Sequence, residues 1–178
     1  MTGGIEVSPR LEQWAKLADY TLTPGSSTTD GRPIFWSALG ETRLFIGDRQ
    51  DGWFVITDSD RMESENFVLA ASSIETIEKY LFGKFGMYIR SARGLPRVGM
   101  PTGAHEVRPN FNVETRDYEG LERFALVAPD GSTVAIGSAD EVTATAELKK
   151  LALYLTATID EIEASAIDPD GKPLFECR

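Results

Sequence analysis

The chain has 178 residues, 42% of them hydrophobic and 26% charged, with 18 basic against 28 acidic side chains and a net charge of −10. That length supports one domain with a full core, and the acidity argues against nucleic-acid binding, whose affinity rests on neutralising phosphates. A single cysteine, Cys177, excludes a disulfide scaffold or a cysteine-based zinc site within one chain.

Ser8-Pro9 opens the first predicted helix, with Ser as N-cap and Pro at the first helical position. Leu11, Trp14, Ala15, Ala18 and Leu22 recur at helical spacing up to Pro24-Gly25. A polar loop over 25–33 precedes three strand-like runs, 34–38, 42–46 and 53–57, whose short links predict an antiparallel meander. Residues 58–66 are acidic and read as irregular, and 67–71 as a fourth strand or a lead-in. Ser72-x-x-Glu75 has the form of a capping box and predicts a helix with Ile74, Ile77, Leu81, Phe85 and Ile89 on its apolar face. Glu75 and Lys79 are spaced for an exposed ion pair, while Gly83 and Gly86 imply a kink, an early end or close packing.

Residues 93–110 are rich in Pro and Gly and locally basic, which marks a functional or mobile loop between sub-halves 1–92 and 111–178 of one 1–178 domain. The second half predicts strands over 111–115, 124–128 and 133–137, the last two joined by a Pro129–Ser132 turn. Further capping boxes are read at Ser138-x-x-Glu141 and Thr158-x-x-Glu161, and a last strand at 173–175. The fold expected is α+β: antiparallel strands in two groups packed with helices, or two related αβ layers.

Chemistry is sparse. The only histidine, His105, lies in the 93–110 loop, which gives no Ser-His-Asp or Cys-His arrangement. The carboxylates from Asp48 to Glu65 lack the register of an EF-hand, so neither a metal nor a cofactor is expected. No apolar run approaches the ~20 residues of a membrane span, and no basic region followed by an apolar core opens the chain. A cytoplasmic, membrane-independent protein is the expectation. A carboxylate pair in an aromatic cleft is the remaining route to catalysis.

The ordered set Asp30-Gly31-Arg32, Trp36, Gly52-Trp53, Val55-Ile56-Thr57, Ser59-Asp60-Arg61-Met62, Ala70-Ala71-Ser72, Ile77-Glu78-Lys79-Tyr80-Leu81, Gly83, Phe85-Gly86 and Arg90-Ser91 resembles the immunity-protein family that neutralises the tuberculosis necrotizing toxin. A weaker likeness continues at 130–136 and 170–175. The resemblance implies a non-enzymatic antitoxin. Its partner would be a secreted NAD+ glycohydrolase, blocked at its NAD-binding site so that the producing cell is protected. An electropositive, phosphate-binding cleft suits an acidic inhibitor. Two surfaces are candidates for the contact. One is the acidic turn Asp58, Asp60, Arg61, Met62 and Glu63; the other is the loop carrying Arg93, Leu95, Pro96, Arg97, Met100 and His105. Each has a plainer reading, the first as a helix lead-in held by local hydrogen bonds and the second as a flexible connector; a further alternative makes Arg61 a buried structural partner of Asp58 or Asp60. The alternatives for the whole chain are a small carboxylate-dependent hydrolase and a general protein-interaction module.

Overall fold

A computed structural model describes residues 4–37, 41–49, 51–61, 63–101 and 110–178. Helix α1, Pro9–Leu17, starts where expected: the Ser8 side chain accepts from the Leu11 amide. It ends sooner than the spacing predicts. Asp19 takes a left-handed conformation (φ 62°), and Tyr20–Thr23 becomes strand β1. Leu22 therefore meets the core from a strand, at period two, rather than from a helix.

Strands β2 (Ile34–Ser37), β3 (Thr42–Asp48), β4 (Phe54–Asp60) and β5 (Asn66–Ala71) form the expected antiparallel meander. β4 runs further than its sequence implies: Asp58 to Asp60, read as irregular, pair in register with Leu44 to Thr42. A β-bulge sits between the Ile56 and Thr57 pairings with β5. Helix α2 follows at Ile74–Ala92, then β6 (Val98–Gly99), β7 (Asn112–Tyr118), β8 (Leu121–Val127) and β9 (Thr133–Ile136). Helices α3 (Glu141–Leu155) and α4 (Ile159–Ile167) and the short strand β10 (Glu176–Cys177) complete the chain.

The architecture is α+β. Eight strands form one antiparallel sheet in the order β1-β2-β3-β4-β5-β9-β8-β7, and β10 pairs with β6 separately. The two strand groups meet where β5 pairs with β9, Ala70 opposite Ile136 and Ala71 opposite Ala135. The helices share one face of the sheet, and Leu44, Ile46, Ile56, Leu69 and Leu126 lie in the same buried core as Leu11, Phe85, Leu151 and Ile162.

Four local expectations change. The N-cap of α2 is Ser73, which accepts from the Thr76 amide, and that of α3 is Asp140, which accepts from the Thr143 amide. The boxes read at Ser72 and Ser138 are thus displaced by one and two residues, because a better-placed side-chain oxygen sits nearer each helix. Among the described residues, only Thr158 and Glu161 form the full reciprocal box. The Lys79 ammonium donates to the carbonyls of Leu155 (3.3 Å) and Ala157 (2.8 Å) at the end of α3, rather than pairing with Glu75. Leu174 and Phe175 are core residues ahead of β10 rather than a strand of their own.

Gly83 and Gly86 neither kink nor end α2. A Cβ on Gly83 would stand 2.1 Å from the Tyr154 ring, and one on Gly86 2.9 Å from the Ala166 Cβ. Both are close-packing positions that let α3 and α4 approach the backbone of α2.

Candidate binding surface

On β4 the period of two places Asp58 and Asp60 on the same face as buried Ile56, the face that carries the helices. Asp60 is exposed and accepts from the Thr42 hydroxyl at 3.1 Å, while Asp58 is half-buried. The chain then turns. Arg61 takes φ 48° and donates its amide to the Glu41 carbonyl, and the Glu63 amide returns to the Asp60 carbonyl. The Arg61 side chain is exposed and makes no ion pair with either aspartate, which removes its reading as a buried partner. Met62 lies outside the described residues.

Next to these carboxylates, α2 and α3 enclose a groove with a cavity of about 160 Å³. Tyr80, Lys84, Met87 and Tyr88 line it from α2, at the i, i+4, i+7, i+8 spacing of one helical stripe. Glu147, Lys150 and Tyr154 face them from α3. The side chain of Tyr154 lies where a Cβ on Gly83 would fall, so the bare backbone at that position is what makes room for the ring. Tyr88 is 39% exposed and stacks on Tyr20 at 5.7 Å and 12°.

Charge and burial act together here. Desolvation, then Tyr88 and then Asp60 and Asp58, push the Tyr20 phenol above its ordinary value. Burial also raises Tyr80, with Glu147, Tyr88 and Asp58 adding to it. Glu147 is raised by its own desolvation, opposed by Lys84 and Lys150 and reinforced by Asp58. The acidic end of β4 and the tyrosine groove are therefore one electrostatic neighbourhood. Glu147 is the single described carboxylate lining the cavity. A two-carboxylate hydrolysis needs a facing partner ~5–9 Å away.

The second candidate segment begins at the far end of α2. Arg90 is buried, at 3% exposure, and holds that segment down. Its guanidinium donates to the carbonyls of Pro96 (2.7 Å), Ala166 (3.3 Å), Pro169 (2.6 Å) and Asp168. The first part of the presumed connector is thus pinned, with Arg93, Pro96 and Arg97 exposed and Leu95 and Met100 half-buried. Arg178 donates its amide to the Arg97 carbonyl and borders the same ground. His105 lies outside the described residues.

The structure joins the two candidate surfaces, which the sequence kept apart. Met87 lines both the tyrosine groove and a depression of about 370 Å³ formed with Leu95, Pro96 and Arg97. Lys150 lines both the groove and a third depression, about 590 Å³, that contains Met100 and Val142. The linking stripe had a sequence signal, since Tyr80, Lys84, Met87 and Tyr88 recur at helical spacing beside the apolar face.

The opposite face of the sheet is closed by its own side chains. Arg32 lies over Phe45 (4.6 Å), Arg49 over Tyr118 (4.5 Å) and Arg123 over Phe67 (4.0 Å). Arg32 also pairs with Asp30 and Glu65, and Arg49 with Asp51 and Glu119. Among the described residues, no group of three or more His, Cys, Asp or Glu is placed to hold a metal. No described helix is long and apolar enough to cross a membrane.

The family model described as Immunity protein 61 matches residues 14–174, from the middle of α1 to the segment ahead of β10. The chain belongs to the Immunity protein 61 family. Among its relatives in that light are "Immunity factor for TNT" of Mycobacterium tuberculosis and "Immunity factor for TNT homolog" of Mycobacterium bovis. Each is 42% identical over 175 residues, spanning 98% of this chain and 96% of the relative. The solved structure titled "Rv3902c from M. tuberculosis" superposes with a TM-score of 0.89 at 39% identity, covering 99% of this chain and 98% of that one. The family likeness thus includes both strand groups, the β5–β9 junction and all the described helices.

Proposed function

We propose that this chain is an antitoxin that binds a cognate NAD+ glycohydrolase toxin in the cytoplasm and covers its NAD-binding site, performing no reaction itself. The observation that carries the reading is the end-to-end match to a relative named as the immunity factor for TNT. Electrostatics support it. A cleft that binds the phosphates of NAD+ is electropositive, and a chain of net charge −10 is steered towards it. The contact draws on Asp58, Asp60, Arg61, Met62 and Glu63 and on Arg93, Leu95, Pro96, Arg97, Met100 and His105. A neutralising complex of ordinary size covers on the order of 1,600 Å² in total.

The test is co-purification with two toxin domains, TNT itself and the toxin encoded beside this chain, followed by NAD+ hydrolysis assays. A stable complex and loss of hydrolysis at stoichiometric chain are expected with at least one of them. Undiminished NAD+ loss with both toxins at excess chain would falsify the reading. For the acidic end of the contact, Asp58→Lys with Asp60→Lys is expected to weaken binding and flatten its salt dependence, with the circular dichroism spectrum unchanged.

A further inference from the structure

We propose that the groove between α2 and α3 seats an anchoring side chain of the toxin, with Tyr88 and Met87 at the centre of a contact running from Asp58 and Asp60 to Arg93 and Arg97. This inference rests on the antitoxin reading and adds to it the middle of the interface. Interfaces concentrate their binding energy in a few central, well-packed aromatic residues, with polar groups at the rim. The groove has that composition. It is walled by tyrosine rings, Met87 stands at its junction with the next depression, and Tyr88 is presented to solvent at 39% exposure.

One contrast with the rest of the surface favours this groove as the seat of a partner. The rings of Tyr80 and Tyr154 are buried, at 7% and 4% exposure. Lys84 is the cation over the groove rings, 5.9 Å from the Tyr80 centroid and 5.7 Å from that of Tyr88, whereas on the other sheet face the arginines lie closer, Arg123 at 4.0 Å over Phe67, and in ion pairs that a partner would have to displace.

The dimensions agree. From Tyr80 to Arg93 the helix advances roughly 20 Å at 1.5 Å per residue. One partner's share of a standard interface, ~800 Å², is a patch roughly 30 Å across. The groove with its two flanks fits within one such patch.

The polarity of the surface specifies the partner. The β4 end is acidic, and the α2 end carries Arg93, Arg97 and Arg178. The complementary toxin surface bears cations opposite Asp58 and Asp60 and carboxylates opposite Arg93 and Arg97. Between them an apolar or aromatic side chain enters the groove.

The experiment is calorimetric titration of the full chain against whichever toxin it neutralises in the assay above. Three variants are compared: Tyr88→Ala, Met87→Arg, and Arg116→Ala on the opposite sheet face. Thermal melts of each accompany the titrations. The expected result is a loss of affinity of at least thirtyfold for Tyr88→Ala and for Met87→Arg, with Arg116→Ala within threefold of the parent. Met87 is half-buried and lies outside the Tyr20–Tyr88 stack, so Met87→Arg carries the test if Tyr88→Ala melts early. Binding of Met87→Arg within threefold of the parent overturns the proposal. So does a parent chain that self-associates through this groove, shown by a dimer in sedimentation that Met87→Arg abolishes. If the parent neutralises neither toxin, the functional reading falls first and this inference with it. If the parent neutralises and the groove variants bind normally, only the groove is wrong.

Discussion

Gly83 shows how one missing methyl group can organise a surface. In an isolated helix, alanine would be favoured over glycine by roughly 1 kcal/mol. Here a Cβ would stand 2.1 Å from Tyr154, and crowding a packed site costs typically ~1–3 kcal/mol. Gly83→Ala is therefore expected to lower the urea midpoint by displacing the ring that walls the groove. Gly86→Ala, 2.9 Å from the Ala166 Cβ, should lower it less. Two glutamates give opposite signs with pH. Hydrogen bonds from Arg32, then Thr57, hold Glu65 below the usual carboxylate range. Its stabilising contribution is therefore present above the unfolded value of about 4.3 and is lost as pH falls through the folded one. Burial raises Glu147, so its ionised form opposes folding as pH rises through the folded value. At about pH 7, Glu65→Gln should lower the melting temperature and Glu147→Gln raise it, and both differences should shrink towards about pH 3. Melts of the two variants and the parent across that range check both signs.

At the scale of elements, what decides the structure is where each helix end finds its hydrogen bonds. The Lys79 ammonium caps the end of α3 through two carbonyls and ties it to α2, 76 residues away in sequence in one case. A cation there satisfies orphan carbonyls and complements the helix dipole. Lys79→Ala is expected to cost about 1–2 kcal/mol in denaturant unfolding, more than loss of an exposed i,i+4 pair with Glu75 would. The same contrast explains what the sequence made legible. Strands β2 and β3, β4 as far as Thr57, the core stripe of α2, the turn before β9 and the Thr158 box are local patterns, and they were readable; 67–71 read equally as a strand or a lead-in, and Asp58 to Asp60 as irregular. β1 was not, because Ala18 and Leu22 continue the helical spacing past Asp19, whose left-handed backbone ends it. The two flanks of the candidate contact were readable as charged segments. The groove between them was only half visible: α2 shows its stripe, but the facing wall comes from Glu147, Lys150 and Tyr154, placed there by the packing of α3 on Gly83.

For the whole molecule, the question is whether the two sequence halves fold as one. They are separated by a Pro/Gly-rich segment, and the β5–β9 ladder that joins them is short, with two paired positions. The helices tell a different story. α2, from the first half, packs against both α3 and α4 from the second. Arg90 of α2 donates to the carbonyls of Ala166, Asp168 and Pro169. Unfolding either half alone would expose the core face of α2 and leave those carbonyls without their donor. We therefore propose a single cooperative unit over 1–178. All three tryptophans, Trp14, Trp36 and Trp53, lie in the first half, so their fluorescence is weighted towards that half, although Trp14 and Trp53 also sit in clusters with second-half residues. Far-UV circular dichroism includes α3 and α4 of the second half. One unit predicts that the two signals follow the same denaturant curve, with equal midpoints and slopes. Separate halves would split them, the tryptophan signal reaching its midpoint at a different denaturant concentration from the helical one. A binding surface assembled from Asp58 and Asp60, the α2–α3 groove and the Arg93–Arg97 segment requires the first outcome, because only a cooperative molecule holds both walls of the groove in place before the partner arrives.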